Sequence, residues 1–562
     1  MSIAEARPSI ERPLRVGLLI ESFELPRWLF VMFERLIQAH YASIVVVVHG
    51  KRMGTPRLSG SPGHSFVGLF ASLYLKFEDL LLRVHDYALD GADTANLLRE
   101  IPVLRLREED GSPGRRLPED EMKSVRAYDL DVLIDLGGRM LAGECLSLAR
   151  YGIWSFDAQE SRIGTGIPAG FWEVMRRSPE TCSMVSMRGS RSERSLILYT
   201  SYSLTHRNSV KRNYNRAYWK SVAFIPRLLE ELFTAGEEKF FGRVKRDNAL
   251  PGYRDTYQPA PATGYQALSL LVRHLSRWIF HMAEELLFFN QWFILFNFTD
   301  MPHCAFWQYT KMTPPKDRFW ADPQLIFSRG RYYVFLEEFL YKKHRGHISV
   351  MTMDEHGHHD ELPVKVLDTP YHLSYPFLVE WEGNHFMIPE SASNRTVDIY
   401  RCADFPFKWE FQMHLLENIS AYDTTLFHHN GKWWMFTTVL EYKGASSDDE
   451  LFLFYSDDLL STDWTPHPQN PIVSDVRRAR PAGRIFSSGG VLYRPSQNCS
   501  VRYGYGLKIN EIRVLTETEY QETELSSVEP LWDRNLIATH TFNRTGSLTV
   551  IDAERRRFKF HG

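Results

Sequence analysis

Five times beyond residue 320 the chain carries an apolar run, a glycine, and a second run rich in aromatic or apolar residues. The segment DPQLIFSRGRYYVFLEE begins at Asp322 and is echoed by YPFLVEWEGNHFMIPES from Tyr375, DTTLFHHNGKWWMFTT from Asp423 and AGRIFSSGGVLYRPSQN from Ala482. A fainter copy, ATHTFNRTGSLTVIDA, begins at Ala538. A glycine stands eight positions after each start, at Gly330, Gly383, Gly431, Gly490 and Gly546, and the starts lie 53, 48, 59 and 56 residues apart. Two β-prone runs joined through a glycine turn read as a hairpin. Hairpins recurring about every 50 residues predict four-stranded blades around one axis. The expected fold of 305–562 is therefore a five-bladed β-propeller.

In a propeller the inner strands line a central channel, so equivalent positions of successive copies converge. The starts are Asp322, Tyr375, Asp423, Ala482 and Ala538; fifteen positions on stand Glu337, Glu390, Thr438, Gln497 and Ala553, with Glu338 next to the first. The repeat predicts a cluster of Asp322, Asp423 and one or more of Glu337, Glu338 and Glu390. Clustered carboxylates repel, which raises the pKa of some and separates acid from base roles. Glycosyl chemistry needs that division: an acid for the leaving oxygen and a carboxylate to activate a nucleophile. For any one of these aspartates, capping a turn is the competing structural role. His347, His372, Arg395, Arg480, Arg484, Arg502, Tyr503 and His540, with Tyr375, lie in or beside the motifs as candidates to hold hydroxyls or the phosphate of a sugar donor. No metal is expected, because no ligand spacing of a metal site occurs; His356, His358 and His359 read as a polar turn. No cofactor is indicated.

The strings Phe319-Trp-Ala-Asp-Pro323, Gly346-His-Ile348, His372-Leu-Ser-Tyr-Pro376, Ile388-Pro-Glu-Ser391 and Asp423-Thr-Thr425 resemble the N-terminal domain of glucosamine inositolphosphorylceramide transferases. That domain is similar to the five-bladed propeller of family 43 glycoside hydrolases. The resemblance implies a general-base role for Asp322, a pKa-tuning role for Asp423, and Glu390 or Glu338 as the acid. In the plant transferases, transfer chemistry is assigned to a separate domain with no counterpart found in this sequence. The resemblance therefore also allows a glycan-binding, non-catalytic propeller.

The N-terminal part reads differently. LRVGLLIES, a helical stretch Trp28 to His40, and Ser43 to Val48 make strand, helix and strand in about 35 residues, hence a parallel sheet. Val132 to Leu136 adds a strand, and residues 14–235 are expected to form one α/β domain. Asp129 to Gly138, Tyr151 to Asp157 and Gly166 to Gly170 resemble the folate-dependent formyltransferase fold. Ser155 occupies that family's Asn place and Asp157 its His place, and between Ala158 and Asn248 the one aspartate is Asp247. A carboxylate does not replace imidazole as a donor at neutral pH, so the usual formyl-transfer mechanism is not expected. Ser155, Asp157 and Glu160, at a strand end, form the N-terminal pocket candidate.

Between the two parts, 236–304 reads as a linker and a bridging helix, the helix running from Tyr265 to Phe298. Its charges exclude cheap passage through a bilayer. It offers a surface for peripheral membrane contact or for a second copy of the chain. Lys plus Arg number 66 and Asp plus Glu 69, a net charge of −3, which argues against a nucleic-acid partner. Five scattered cysteines without CxxC spacing and no signal-like leader point to a cytoplasmic protein. The expected function is a carbohydrate-active transferase in glycan or glycolipid synthesis, taking a sugar or nucleotide sugar. The alternatives are formyl or acyl transfer to an amino sugar by the N-terminal domain, and a non-catalytic glycan-binding scaffold.

Overall fold

The computed structural model describes residues 12–50, 52–53, 62–81, 86–107, 109–110, 117–136, 141, 143–156, 170–189, 192–250, 264–299 and 306–560. It divides into two compact units, residues 1–276 with 442–445, and 277–441 with 446–562.

The first unit holds a seven-stranded sheet in the order Ser192–Leu204, Glu180–Gly189, Ile153–Phe156, Val132–Asp135, Leu14–Ile20, Ala42–His49, Val103–Arg105. The five strands from Ile153–Phe156 to Val103–Arg105 are parallel, and Glu180–Gly189 and Ser192–Leu204 close the edge antiparallel. The helix Arg27–Gln38 covers the sheet because its apolar residues recur at three- and four-residue steps, burying Trp28, Leu29, Met32, Phe33 and Leu36. The parallel α/β expectation holds.

The second unit is the propeller. Blade 1 is Arg318–Ser328, Arg331–Leu340, Arg345–Met353 and Val364–Leu367. Blade 2 is Ser374–Trp381, Asn384–Glu390, Thr396–Asp404 and Lys408–Glu417. Blade 3 is Ala421–His429, Lys432–Val439, Leu451–Ser456 and Thr465–Pro466, and blade 4 is Phe486–Ser488, Val491–Asn498, Gly506–Leu515 and Tyr520–Val528. In blade 5 the hairpin Phe542–Thr545 and Leu548–Phe558 is completed by Phe288–Phe298 and Thr310–Met312. The repeat glycine is explained at the hairpin tip. In four blades both central turn residues have positive φ, as in Arg329 (52°) with Gly330 (72°) and Asn430 (51°) with Gly431 (75°). That is the geometry whose twist matches paired strands.

Two expectations for the middle region are corrected. Residues 237–249, read within a linker, form a helix that buries Phe240 and Val244. The helix read over 265–298 spans Gly264–Leu287, and Phe288–Phe298 is a strand pairing with Leu548–Phe558. FFNQWFILFNF is apolar almost throughout because both faces of that strand are covered, which erases the alternation that marks a strand.

Candidate functional site

The first residue of three copies is turned into the channel by the same local device. Asp322, Tyr375 and Asp423 have φ of 54°, 40° and 51°. Strand pairing breaks around each one, between Ala321 and Gln324, Ser374 and Phe377, and Tyr422 and Thr425. These are β-bulges, which re-aim a side chain. On the second strand of each hairpin, the residue six positions after the turn faces the same region: Glu337, Glu390, Thr438 and Gln497. In blade 5 the turn pairs Thr545 with Leu548, so its glycine comes one place earlier in the turn than in the other blades. The equivalent residue is thus Glu554, not Ala553, and the equivalent of Asp322 is Thr539, not Ala538.

Asp322 is 3% exposed. Its Oδ1 accepts from Thr541 Oγ1 at 2.9 Å and its Oδ2 from the Tyr375 backbone N–H at 3.3 Å. His540 lies between two carboxylates, Nε2 at 3.5 Å from Asp322 and Nδ1 at 2.7 Å from Asp552. Asp552 also accepts from the backbone N–H groups of His540 and Thr541, each at 2.9 Å, and from that of Asp322 at 3.1 Å. Opposite, Arg480 Nε donates to Asp423 at 2.6 Å, Nη2 to Glu390 at 3.2 Å and Nη1 to Asp448 at 3.0 Å. Gln497 Nε2 donates to Asp423 at 2.7 Å. The Arg480 guanidinium lies 5.0 Å from the centroid of Tyr503, which is 42% exposed.

The charges are divided. Burial raises Asp322 to about 6, with His540 opposing and Asp423 and Asp552 adding. Burial pushes Glu337 well above the usual carboxylate range, helped by Asp322 and Glu390. It does the same to Glu390, with Asp423 adding and Arg480 opposing. Burial would raise Asp552 too, but His540 outweighs it and holds the carboxyl low. His540 rises to about 9 because Asp552 and Asp322 outweigh its burial. One deep centre thus sets carboxyls raised by burial, Glu337, Glu390 and Asp322, beside one held low, Asp552, the kind of separation that general acid–base catalysis uses. Among the described residues, Asp322, His540 and Asp552 are also the three whose ligand atoms, within 4.8 Å of one another, could hold a metal ion.

The sequence-predicted residues divide accordingly. Asp322, Asp423, Glu390 and His540 meet in the centre, and Tyr375 joins through its backbone while its hydroxyl bonds Thr425 Oγ1 at 2.8 Å. Glu338 does not join it. Alternation along the strand turns it away, onto Arg318 at 2.8 Å, His347 at 3.1 Å and Ser349 at 2.9 Å. His347 is therefore spent on Glu338. His372 lies at the edge, Nδ1 accepting from the Gly346 N–H at 2.9 Å and Nε2 3.6 Å from Glu337. Arg502 stands 3.9 Å from Glu554. Arg484 donates to the Leu378 carbonyl at 2.7 Å, and Arg395 to the Asn418 carbonyl at 3.0 Å on the surface; both tie backbone. Asp552 is missing from the sequence cluster because it stands two residues before Glu554, where the other copies carry Phe335, Ile388, Phe436 and Pro495. In the first unit Ser155 pairs with Asp135, and its Oγ lies 3.5 Å from Ser186 Oγ; Asp157 and Glu160 lie outside the described residues.

Fold and site together define a five-bladed propeller enclosing a buried acid–base centre. Residues 302–539 match the family model of the N-terminal region of glucosamine inositolphosphorylceramide transferase 1. Proteins of that name from Oryza sativa subsp. japonica and Arabidopsis thaliana are 33% identical over 210 residues and 34% over 209. Each match covers 37% of this chain, and 28% and 27% of the respective relatives. The chain thus spans about 28% of the length of these curated relatives. Among solved structures, a family 117 glycoside hydrolase from Zobellia galactanivorans is similar at 12% identity and TM-score 0.31, over 48% of this chain and 90% of that one. A GH32 β-fructofuranosidase from Bombyx mori is similar at 14% identity and TM-score 0.31, over 42% and 60%.

Proposed function

We propose that this protein is a sugar transferase of glycolipid or glycan synthesis, with its chemistry in the propeller centre. The observation that carries the reading is the geometry of one buried set: His540 lies between Asp322 and Asp552, and Arg480 bridges Asp423 and Glu390 opposite them. The match of residues 302–539 to part of a glycolipid transferase supports the substrate class. In this reading Asp322 takes the proton of an acceptor hydroxyl as its oxygen bonds to the anomeric carbon of a sugar or nucleotide-sugar donor. The bond to the leaving oxygen breaks, and Glu337 or Glu390 supplies that oxygen's proton. Arg480 and Gln497 hold Asp423 fixed beside them. The proposal includes a cytoplasmic setting, which agrees with the lack of any disulfide among the described cysteines.

Incubation with nucleotide sugars and glycolipid acceptors tests it. Asp322→Asn is expected to abolish product while leaving the melting curve in place. Unchanged turnover removes the propeller from the chemistry, and binding without product by the native chain leaves a glycan-binding scaffold.

A second reading has one observation in its favour. The sheet order reverses at Leu14–Ile20, flanked by Ala42–His49 and Val132–Asp135, and open α/β sheets bind ligands beyond the carboxyl ends of such strands. A formyl- or acyl-transfer site acting on an amino sugar would lie there. Titration with a folate or an acyl donor tests it, and absence of binding excludes it.

A further inference from the structure

The end of the helix Gly264–Leu287 exposes Ile279 (64%), Phe280 (66%) and Leu286 (69%). Positions 279 and 286 are two turns apart and share one side of the helix. The last strand runs out beside them. The Lys559 N–H donates to the Leu287 carbonyl at 2.9 Å, the rings of Phe288 and Phe558 stand 5.5 Å apart, and those of Phe558 and Phe560 5.6 Å apart. Phe560 is 71% exposed. Residues 555–560 read RRRFKF, four cations and two aromatics without an acid, on a chain whose net charge is −3. Arg556 is paired with Glu284, and Arg557 donates to the Gln291 side chain at 2.7 Å. The helix offers only one further carboxylate there, Glu285, so cations outnumber acids.

Exposed aliphatic and aromatic side chains bordered by Arg and Lys are the chemistry that settles at a bilayer surface and prefers anionic headgroups. A two-fold pairing of copies would instead set the same cations against each other. Among the described residues no helix is long and apolar enough to cross a membrane, so contact here would be peripheral. The patch is also close to the centre along the chain. Phe288 and Trp292 lie on one strand, about 13 Å apart by strand rise, and Trp292 stacks on His540 at 4.1 Å. We propose that Ile279, Phe280, Leu286 and Phe560, with Arg557 and Lys559, dock this protein on anionic lipid, holding the propeller centre within reach of the membrane surface. The inference does not depend on the transfer chemistry.

Flotation of the full chain with vesicles tests it, comparing phosphatidylcholine alone with phosphatidylcholine plus phosphatidylglycerol. The native chain is expected to float with the mixed vesicles only and to be released by salt. Lys559→Gln and Arg557→Gln should each weaken binding about fivefold at low salt, and Phe280→Ser with Leu286→Ser should abolish it. Lys559, Phe280 and Leu286 are exposed, so unchanged melting curves should accompany the loss in those variants. Failure to float, equal binding to both vesicles, or binding indifferent to these variants overturns the proposal. So does a dimer that Phe280→Ser with Leu286→Ser converts to monomer, which makes the face an interface between copies. Because the readout is flotation, a failure of sugar transfer leaves the result unaffected.

Discussion

Glu337 and Glu338 leave one strand in opposite directions. Glu337 turns into the acidic centre, 3.6 Å from His372 Nε2, and among the described residues its Oε1 has no hydrogen-bond partner. Glu338 turns the other way and binds Arg318 at 2.8 Å. Two adjacent carboxyls, both buried, are therefore shifted in opposite directions: burial and neighbouring acids push Glu337 up, while His347, Arg318 and Ser349 overcome burial and hold Glu338 at about 2.

Substitution should separate the two. Glu337→Gln is expected to lower turnover about a hundredfold or more with little change in stability, since burial already disfavours the charged carboxylate. Glu338→Gln should cost about 1–3 kcal/mol by removing the buried carboxylate that Arg318, His347 and Ser349 share, while activity per folded molecule stays near native. Paired rate and denaturation measurements check this, and a reversed pattern assigns the acid role wrongly.

The same shifts set pH behaviour. Glu338 is depressed on folding, so its stabilisation is present above about 4.5 and is lost as pH falls towards 2. The melting temperatures of the native chain and Glu338→Gln should converge over that interval. Asp322, raised to about 6, must be ionised to act as base, so turnover should rise with pH through about 6. His540→Gln removes the cation that opposes the rise, and the rate profile should move to higher pH.

Arg480 joins Asp423, Glu390 and Asp448. Arg480→Met leaves those carboxyls without their shared cation and is expected to cost about 3–5 kcal/mol. Adding Asp423→Asn should recover part of that loss. Chemical denaturation of the single and double variants reads the coupling, and strict additivity would show that the contact does not matter energetically.

Gly346 is needed for space. A Cβ there would stand 2.6 Å from Glu337 Oε1, 2.7 Å from the Leu373 carbonyl and 2.8 Å from His372 Cε1. Gly346→Ala should displace Glu337 and His372, reducing turnover together with about 1–3 kcal/mol of stability. Native activity in this variant would show that the edge of the centre is not fixed.

The repeat made the propeller legible, because a glycine turn between apolar runs survives sequence drift through its backbone requirement. The convergence of Asp322, Asp423 and Glu390 followed from that register alone. Three things did not. The side to which Glu337 or Glu338 points depends on the pleat as offset by the bulge at Asp322, and a bulge leaves no letter in the sequence. Glu554 was hidden because aligning the fifth copy on Gly546 shifts it one residue, and Asp552 because the other copies carry no acid at its position. The strand Phe288–Phe298 passed for helix because a strand covered on both faces shows no alternation.

The ring is fastened by its two ends, Phe288–Phe298 lying along Leu548–Phe558. Asp322 then waits for a partner 230 residues downstream, its N–H bound to Asp552. The centre is therefore incomplete until residue 552 has been made, and contacts so distant in sequence close slowly. Losing residues 548–560 would remove the clasp, Asp552 and the basic tip together, leaving the Asp322 N–H without its carboxylate however intact the first four blades remain.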